Sequence, residues 1–201
     1  KHEGVRICNI AKDDIIAAGI KIINPIKMFI EYYRVNGHHP RVLVEGAQAY
    51  MLDISNGLYP YVTSSHCLVS DAFNIGITFM PSDKHGNTYE TEIWLVAKVY
   101  ETYVGELDFQ PPHDPVLEKI QDVGKEFGST TGRKRKVNYL NMNTLMESAF
   151  ANHATHIVFN KLDILKDPTI NKFCLIDEMG DLRTYEDVNE FKGVIIASLK
   201  G

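Results

Sequence analysis

The chain predicts an α/β fold, a mostly parallel layered sheet flanked by helices, and three observations carry that expectation. Short apolar runs of strand length alternate with stretches of helical periodicity, the pattern of a layered sheet-and-helix domain. Asn24-Pro25 and Asp114-Pro115 each read as a helix start, a capping side chain followed by proline at the first helical position. Hydrophobic residues make up 44% of the 201, enough for a sizeable core, and no apolar run approaches membrane-spanning length.

Taken in order, residues 13–19 read as a short helix, and the cap at Asn24 opens a second. In that second helix Ile26, Phe29, Ile30 and Tyr33 share one face and Gly37 supplies the stop. His38 and His39 follow in a loop with no third metal ligand nearby in sequence. Val42, Leu43 and Val44 make an apolar run of buried-strand character, with Glu45, Gly46 and Gln48 at its end, where an α/β sheet presents its ligand crevice. Asn56-Gly57 marks a turn. Residues 71–77 are expected to be helical and 82–87 to form a polar loop. Residues 92–102 alternate Ile93, Leu95, Ala97, Val99 with Trp94, Val96, Lys98, Tyr100, one strand with an apolar face and a mixed face. The helix after Asp114 should bury Val116, Ile120, Val123 and Phe127. Residues 140–151 read as a helix with Leu145, Met146, Ala149 and Phe150 inward. Residues 156–159, 173–176 and 194–197 read as strands, with a short helix over 185–190.

Charge and cysteine content narrow the function. A formal net charge of −5 argues against a general electrostatic grip on nucleic acid while allowing a local basic site. Three scattered cysteines, Cys8, Cys67 and Cys174, suit a reducing, cytoplasmic setting rather than a disulfide scaffold. No signal peptide opens the chain, and it starts on Lys1 rather than methionine, as a portion of a longer protein would.

Two constellations carry chemistry. Residues 128–136 read GSTTGRKRK: two glycines flank three hydroxyls and lead into four cations. Such a loop offers N–H and O–H donors to a carboxylate, and an arginine fork completes the clamp. If the segment is extended, Arg133 and Arg135 face one way and the lysines the other. The second constellation is Asn160-Lys161-Leu162-Asp163 at a strand end, the N/T-K-x-D pattern of guanine-binding proteins. Guanine presents two adjacent donors, N1–H and the N2 amino group, which one carboxylate accepts together; adenine has no matching pair.

With EGAQ at 45–48, LDI at 52–54 and GLYPYVTSS at 57–65, these motifs resemble the adenylosuccinate synthetase family from Val42 to Asp163, and on towards Ser198. The resemblance implies a P-loop-NTPase-like synthetase fold lacking its N-terminal phosphate-loop half. Residues 1–105 would then serve the nucleotide substrate, and 106–201 the aspartate loop and guanine site. It implies purine nucleotide biosynthesis: GTP phosphorylates the 6-oxygen of IMP, and the amine of L-aspartate displaces that phosphate, giving adenylosuccinate, GDP and phosphate. On that resemblance Gln48, Leu52, Thr63 and Arg133 contact the purine nucleotide. Ser129, Thr130, Thr131, Gly132, Arg133 and Arg135 hold aspartate. Arg135, Lys161, Leu162, Asp163 and Ser198 face GTP. Mg²⁺ is required, with its ligand outside this chain, and a homodimer is implied, with no membrane or nucleic-acid partner. The family's phosphate loop, catalytic aspartate and catalytic histidine lie in a half this sequence does not contain, so the chain alone is expected to be inactive. Two alternatives stay open, the first of them favoured by departures from the family at residues 66–71 (HCLVSD) and at Tyr103, where the family has arginine. One is the phage-type ligation of aspartate to dGMP, and the other is a non-catalytic nucleotide-binding relative.

Overall fold

The computed structural model of the chain describes residues 14, 16–19, 23–75, 86, 90–128 and 132–200. It divides into two units, Lys1–Glu45 with Asp71–Phe79, and Gly46–Ser70 with Met80–Gly201.

In the first unit, α1 (Pro25–Asn36) forms where the cap and proline predict. The Lys27 amide donates to Asn24 Oδ1 at 3.2 Å, and Gly37, at φ 73°, ends the helix with its N–H on the Tyr33 carbonyl. That left-handed conformation is why glycine stands there. The apolar stripe is present, yet no residue of the helix is buried. The rings of His38 and His39 lie against Tyr32 and Tyr33, with centroids 5.6 and 4.6 Å apart. The run at 42–44 is not a strand: its backbone is irregular and Leu43 is 95% exposed. A strand needs a neighbour for its N–H and C=O groups, and no described strand pairs with this run. Of residues 13–19, Asp14, Ile16 and Ala17 are helical and Gly19 turns at φ 78°; residues 13 and 15 lie outside the described residues. A 3-10 helix, Val69–Ile75, stands in place of the helix expected over 71–77, whose last two residues lie outside the description. The expected loop at 82–87 lies outside it too, except Gly86.

The second unit holds two sheets. Strand β1 (Trp94–Lys98) pairs in parallel with β4 (His156–Asn160). The other sheet runs β2 (Tyr100–Tyr103), β3 (Lys136–Asn141), β5 (Phe173–Ile176), β6 (Leu182–Tyr185) in that order. Its central β3–β5 pair is parallel and its two outer pairs are antiparallel. The single strand expected over 92–102 is thus two strands in different sheets. The chain bends at buried Val99, whose amide donates to the Asn160 carbonyl at 3.1 Å. Alternation runs unbroken through the bend because both halves keep a period of two.

Helix α2 (Pro115–Val123) is capped by Asp114, whose Oδ1 accepts from the Val116 and Leu117 amides at 2.9 and 3.2 Å. Leu117, Ile120 and Gln121 are buried; of the expected stripe Ile120 is in the core and Val116 and Val123 pack half-buried against it, whereas Phe127, beyond the helix, is exposed. Helix α3 (Met142–Ala151) begins two residues later than expected because Leu140 and Asn141 finish β3, and Asn141 caps it. Met142 and Leu145 point inward, whereas Phe150 is 82% exposed. Residues 194–197, expected as a strand, are the end of α5 (Val188–Ser198). Asp187 caps that helix by accepting from the Asn189 and Glu190 amides, and Phe191 and Ile195, four apart, bury the same side. Tyr185, expected to open a helix, closes β6.

The core sits where β2, β3 and β5 meet the helices, around Tyr100, Leu117, Val137, Leu165, Leu175 and Phe191. Each such side chain stabilises the fold by about 1.5–3 kcal/mol through burial alone. No helix among the described residues is long and apolar enough to cross a membrane. Phe191 is fully buried, its ring 5.9 Å from Phe173 and 6.1 Å from Tyr185. Phe191→Ala is expected to lower stability in urea unfolding by about 3–5 kcal/mol, and Phe150→Ala by no more than about 0.5 kcal/mol.

Candidate nucleotide and aspartate site

The loop at 46–70 is built around one carboxylate. An aspartate followed by polar residues folds back on its own backbone, and Asp53 does so with no exposed surface of its own. Its Oδ1 accepts from the Ser55 and Asn56 amides and from Asn56 Nδ2, each at 2.9 Å, and its Oδ2 accepts from the Cys67 amide at 2.7 Å. His66 Nδ1 stands 3.4 Å from Oδ2. Burial alone would raise this carboxyl, but the Cys67, Asn56 and Ser55 donors outweigh it and hold the group far below the usual carboxylate range. Gly57 closes the turn so tightly that a Cβ would lie 2.4 Å from the Met51 carbonyl oxygen and 2.6 Å from that of Asp53. The two arms of the loop then meet: the Thr63 amide donates to the Leu52 carbonyl at 2.8 Å, and the Ile54 amide to that of Ser65 at 3.2 Å. Leu52 and Thr63 are therefore one backbone-bonded pair. Gln48, at φ 70°, lies exposed just before the 3-10 turn Tyr50–Leu52. Helix α3 carries the loop: Tyr50 Oη donates to Glu147 at 3.0 Å, and the Val69 amide to Asn152 Oδ1 at 2.8 Å.

Of the arginine loop, Ser129, Thr130 and Thr131 lie outside the described residues. Its base is closed by the Gly128 amide on the Arg133 carbonyl and the Gly132 amide on the Gly128 carbonyl, both at 2.8 Å, with Gly132 at φ 64°. Phe127 bridges Lys134 in antiparallel fashion. Lys134 reaches Asp122 at 3.4 Å, Arg135 turns to Glu126, and Lys136 Nζ donates to the Leu107 carbonyl at 2.6 Å.

The guanine-type motif leaves the end of β4. Lys161 takes φ 68° at the turn into the short helix α4 (Leu162–Leu165), whose Ile164 and Leu165 are buried while Asp163 is exposed to solvent. Lys161 Nζ donates to the Gly124 carbonyl at 3.3 Å. Gly124 begins the segment that ends at Glu126, so the guanine-type motif and Arg135 are held by the same short turn. Glu126, 3% exposed, accepts from Lys98 Nζ at 2.9 and 2.8 Å, from Tyr100 Oη at 2.7 Å and from Arg135 Nη1 at 3.4 Å. Lys98 also donates to Thr102 Oγ1 at 3.1 Å. A Cβ on Gly124 would stand 2.7 Å from Tyr100 Oη, so glycine is what lets this turn approach the phenol. Burial pulls against ionisation of Glu126, but hydrogen bonds from Lys98 and Tyr100 and the charges of Lys98 and Arg135 win and hold it below the usual range. Burial pushes the Lys98 ammonium down and the Tyr100 phenol up.

Reasoning from sequence did not single out Lys98, Tyr100, Thr102, Gly124 or Glu126. The available signal was the lone acid in GKEFG, on the N-terminal side of the loop that leads into the four-cation block. Ser198 lines a different place, a cavity of about 240 Å³ with Met142, Leu175, Asp177, Glu178, Met179 and Val194, among which no residue of the guanine-type motif stands. The described residues contain no group of three or more His, Cys, Asp or Glu fit to hold a metal ion.

Two carboxyls give opposite pH signatures. The lowered Asp53 contributes stability that is complete above the ordinary carboxylate pKa of about 4 and is lost as pH falls further. Asp53→Asn is expected to cost about 1–3 kcal/mol at pH 7, a deficit that narrows in acid unfolding below pH about 3.5. Glu101, accepting from the Asn141 amide at 3.3 Å, is pushed by burial up to about 7. The folded protein then holds an extra proton between pH about 4.5 and 7, so stability falls as pH rises through that window. Glu101→Gln is expected to gain on the wild type across it, measured by urea unfolding at pH 5 and pH 7.5.

The sequence model of the adenylosuccinate synthetase family matches residues 11–186. Adenylosuccinate synthetase of Ajellomyces capsulatus is 44% identical over 140 residues, covering 69% of this chain and 31% of that protein. The synthetase of Caenorhabditis briggsae is 41% identical over 155 residues, covering 76% and 34%. The chain thus spans about a third of the length of these curated relatives. Among solved structures, fully ligated adenylosuccinate synthetase from Plasmodium falciparum superposes with a TM-score of 0.67 at 24% identity, over 86% of this chain and 48% of that one. Succinoaminodeoxyadenylate synthetase of cyanophage S-2L, bound to dGMP and dATP, gives 0.53 at 17%, over 94% and 58%. Both share the P-loop-NTPase-like synthetase fold expected for this chain. With a family match that runs through the Asp53 loop, the arginine loop and the guanine-type motif alike, this chain belongs to the adenylosuccinate synthetase family.

Proposed function

We propose that this chain supplies the aspartate loop, the guanine site and part of the purine-nucleotide site of an enzyme that ligates L-aspartate to IMP with GTP. The observation that carries this reading is the shared turn at Gly124 and Glu126, which ties Arg135 and Lys161 together while Asp163 stays open to solvent. A guanine-recognising carboxylate has to be open to its base, and an arginine that stabilises transferring charge has to stand near the donor nucleotide.

In this reading Asp163 accepts from guanine N1–H and the N2 amino group, and the Lys161 stem covers the base. Adenine would turn a lone pair on the carboxylate and be rejected. Arg133 and Arg135, with the hydroxyls and amides of residues 129–132, clamp the two carboxylates of aspartate, and Arg133 also reaches the purine nucleotide. The backbone pair of Leu52 and Thr63, with Gln48, reads that nucleotide through atoms a side-chain change does not remove. Lys98, Arg135 and Lys161 outnumber Glu126 and Asp163 in charge, an excess that suits an anionic ligand. Ser198, the second guanine contact that the family resemblance implies, is left out of this reading because the cavity it lines holds no residue of the guanine-type motif. The nearest rival, ligation to dGMP, draws on the altered segment at 66–71, where His66 and Cys67 lie against Asp53.

The test is phosphate release by the full-length protein that carries this chain. Release is expected to need GTP, L-aspartate, Mg²⁺ and IMP together. Release with dGMP but not IMP would move the assignment to the rival, and GTP binding with no release under any combination would make the protein a non-catalytic relative. Asp163→Asn removes a charge-assisted bidentate contact and is expected to raise the KM for GTP about 100-fold. The same variant should admit xanthosine triphosphate, whose C2 carbonyl matches the new amide N–H. Unchanged use of GTP by this variant would remove guanine recognition from residue 163.

A further inference from the structure

Lys98, Tyr100 and Arg135 converge on Glu126, and the proposed ligand contacts leave that side chain without a role. Lys98 closes β1 directly opposite Asn160 of β4, so the ammonium on Glu126 and the start of the guanine-type motif share one register position. Lys161 donates to Gly124, two residues before Glu126. Arg135 is held at three atoms. Its amide donates to the Glu126 carbonyl at 2.8 Å, its own carbonyl accepts from buried Gln121 Nε2, and its Nη1 meets Glu126 Oε2 at 3.4 Å. The first two bonds fix the backbone and leave the guanidinium to rotate. The Glu126 carboxylate is what orients it. A guanidinium carries five N–H donors, so the carboxylate can take one corner and leave the rest for a ligand. The Arg135 side chain is 33% exposed, against 3% for Glu126, so the arginine alone has a side turned to solvent.

We propose that Glu126 is a positioning residue: its buried carboxylate, itself locked by Lys98 and Tyr100, aims the Arg135 guanidinium at the ligand that Asp163 recognises. This rests on the aspartate- and GTP-binding reading of Arg135, and it adds the residue that couples the arginine loop to the guanine side. The coupling is electrostatic and geometric together. Lys98 and Arg135 share Oε2, so loss of the charge releases the guanidinium and leaves two like charges beside each other in a half-buried place.

The experiment compares Glu126→Gln, Glu126→Asp, Arg135→Gln and the Glu126→Gln/Arg135→Gln double variant in the full-length protein, each checked for a wild-type thermal transition. In Glu126→Gln the KM values for aspartate and GTP are expected to rise at least tenfold with that for IMP within twofold. The double variant should be no worse than Arg135→Gln alone, because both changes remove one unit. A merely structural role would move all three KM values, or add to the Arg135 change, and either result overturns the proposal. A second readout does not need turnover. Phenylglyoxal modification of Arg135, followed by mass spectrometry, should be at least threefold faster in Glu126→Gln, with Arg183, paired to Asp177 at 2.6 Å, as the internal reference. Equal rates at Arg135 overturn the proposal whether or not the protein ligates aspartate. Failure of the synthetase reading itself shows instead as wild-type protein that releases no phosphate. If Glu126→Gln does not fold, Glu126→Asp decides both readouts: it keeps the charge one methylene further back, and its values should lie outside the wild-type range in the same direction.

Discussion

A single buried carboxylate holds the chemical end of this domain together. Glu126 has almost no exposed surface, and it stays ionised because Lys98 meets both its oxygens, Tyr100 donates to one of them and Arg135 stands at the other. Removing Lys98 would leave this buried carboxylate with a single counter-charge at 3.4 Å, close to the costly case of an unpaired buried ion. The parallel pairing of β1 with β4 brings Lys98 to this point, and the β2–β3 ladder brings Tyr100 and the end of the arginine loop. The two sheets are therefore joined by an ion cluster as well as by apolar packing, and the glycine at 124 is what permits the approach.

Asp53 uses the same physics for a different end. Its donors are backbone amides rather than cations, so what it organises is chain direction. It closes a loop whose two arms are tied by backbone bonds, the Thr63 amide on the Leu52 carbonyl among them. Glu101 shows the converse: a carboxyl with burial and little compensation is pushed towards neutrality.

Apolar faces are not all covered within the described residues. Helix α1 buries none of its stripe, and Val42, Leu43 and Val44 are exposed. Trp94 and Val96 on β1 are exposed as well, although parallel sheets in α/β proteins are ordinarily covered on both faces. Trp94 instead stacks on the His156 ring across the β1–β4 pair, centroids 4.2 Å apart and nearly parallel. Periodicity identified these faces correctly as apolar; burial, which also needs a facing surface, does not follow from periodicity.

Local chemistry was what the sequence determined alone. The caps at Asn24 and Asp114, the stop at Gly37, the turn at Asn56-Gly57, the strand at 173–176 and the α/β class depend on contacts within a few residues, and each was legible. The patterns of functional groups in GSTTGRKRK and NKLD are local as well, and the family match spans both. Tertiary structure alone decided the break of 92–102 into two sheets, the helical state of 194–197, the exposure of Phe150 and the gathering of Lys98, Tyr100, Glu126, Arg135 and Lys161. Strand-like runs at 42–44 and 194–197 took no partner, and Asp187 capped the second into a helix. Ion pairing between residues 98, 126 and 135 has no signature in a linear sequence, since the energy that selects it comes from burial at a junction that exists only once the sheets and α2 have packed.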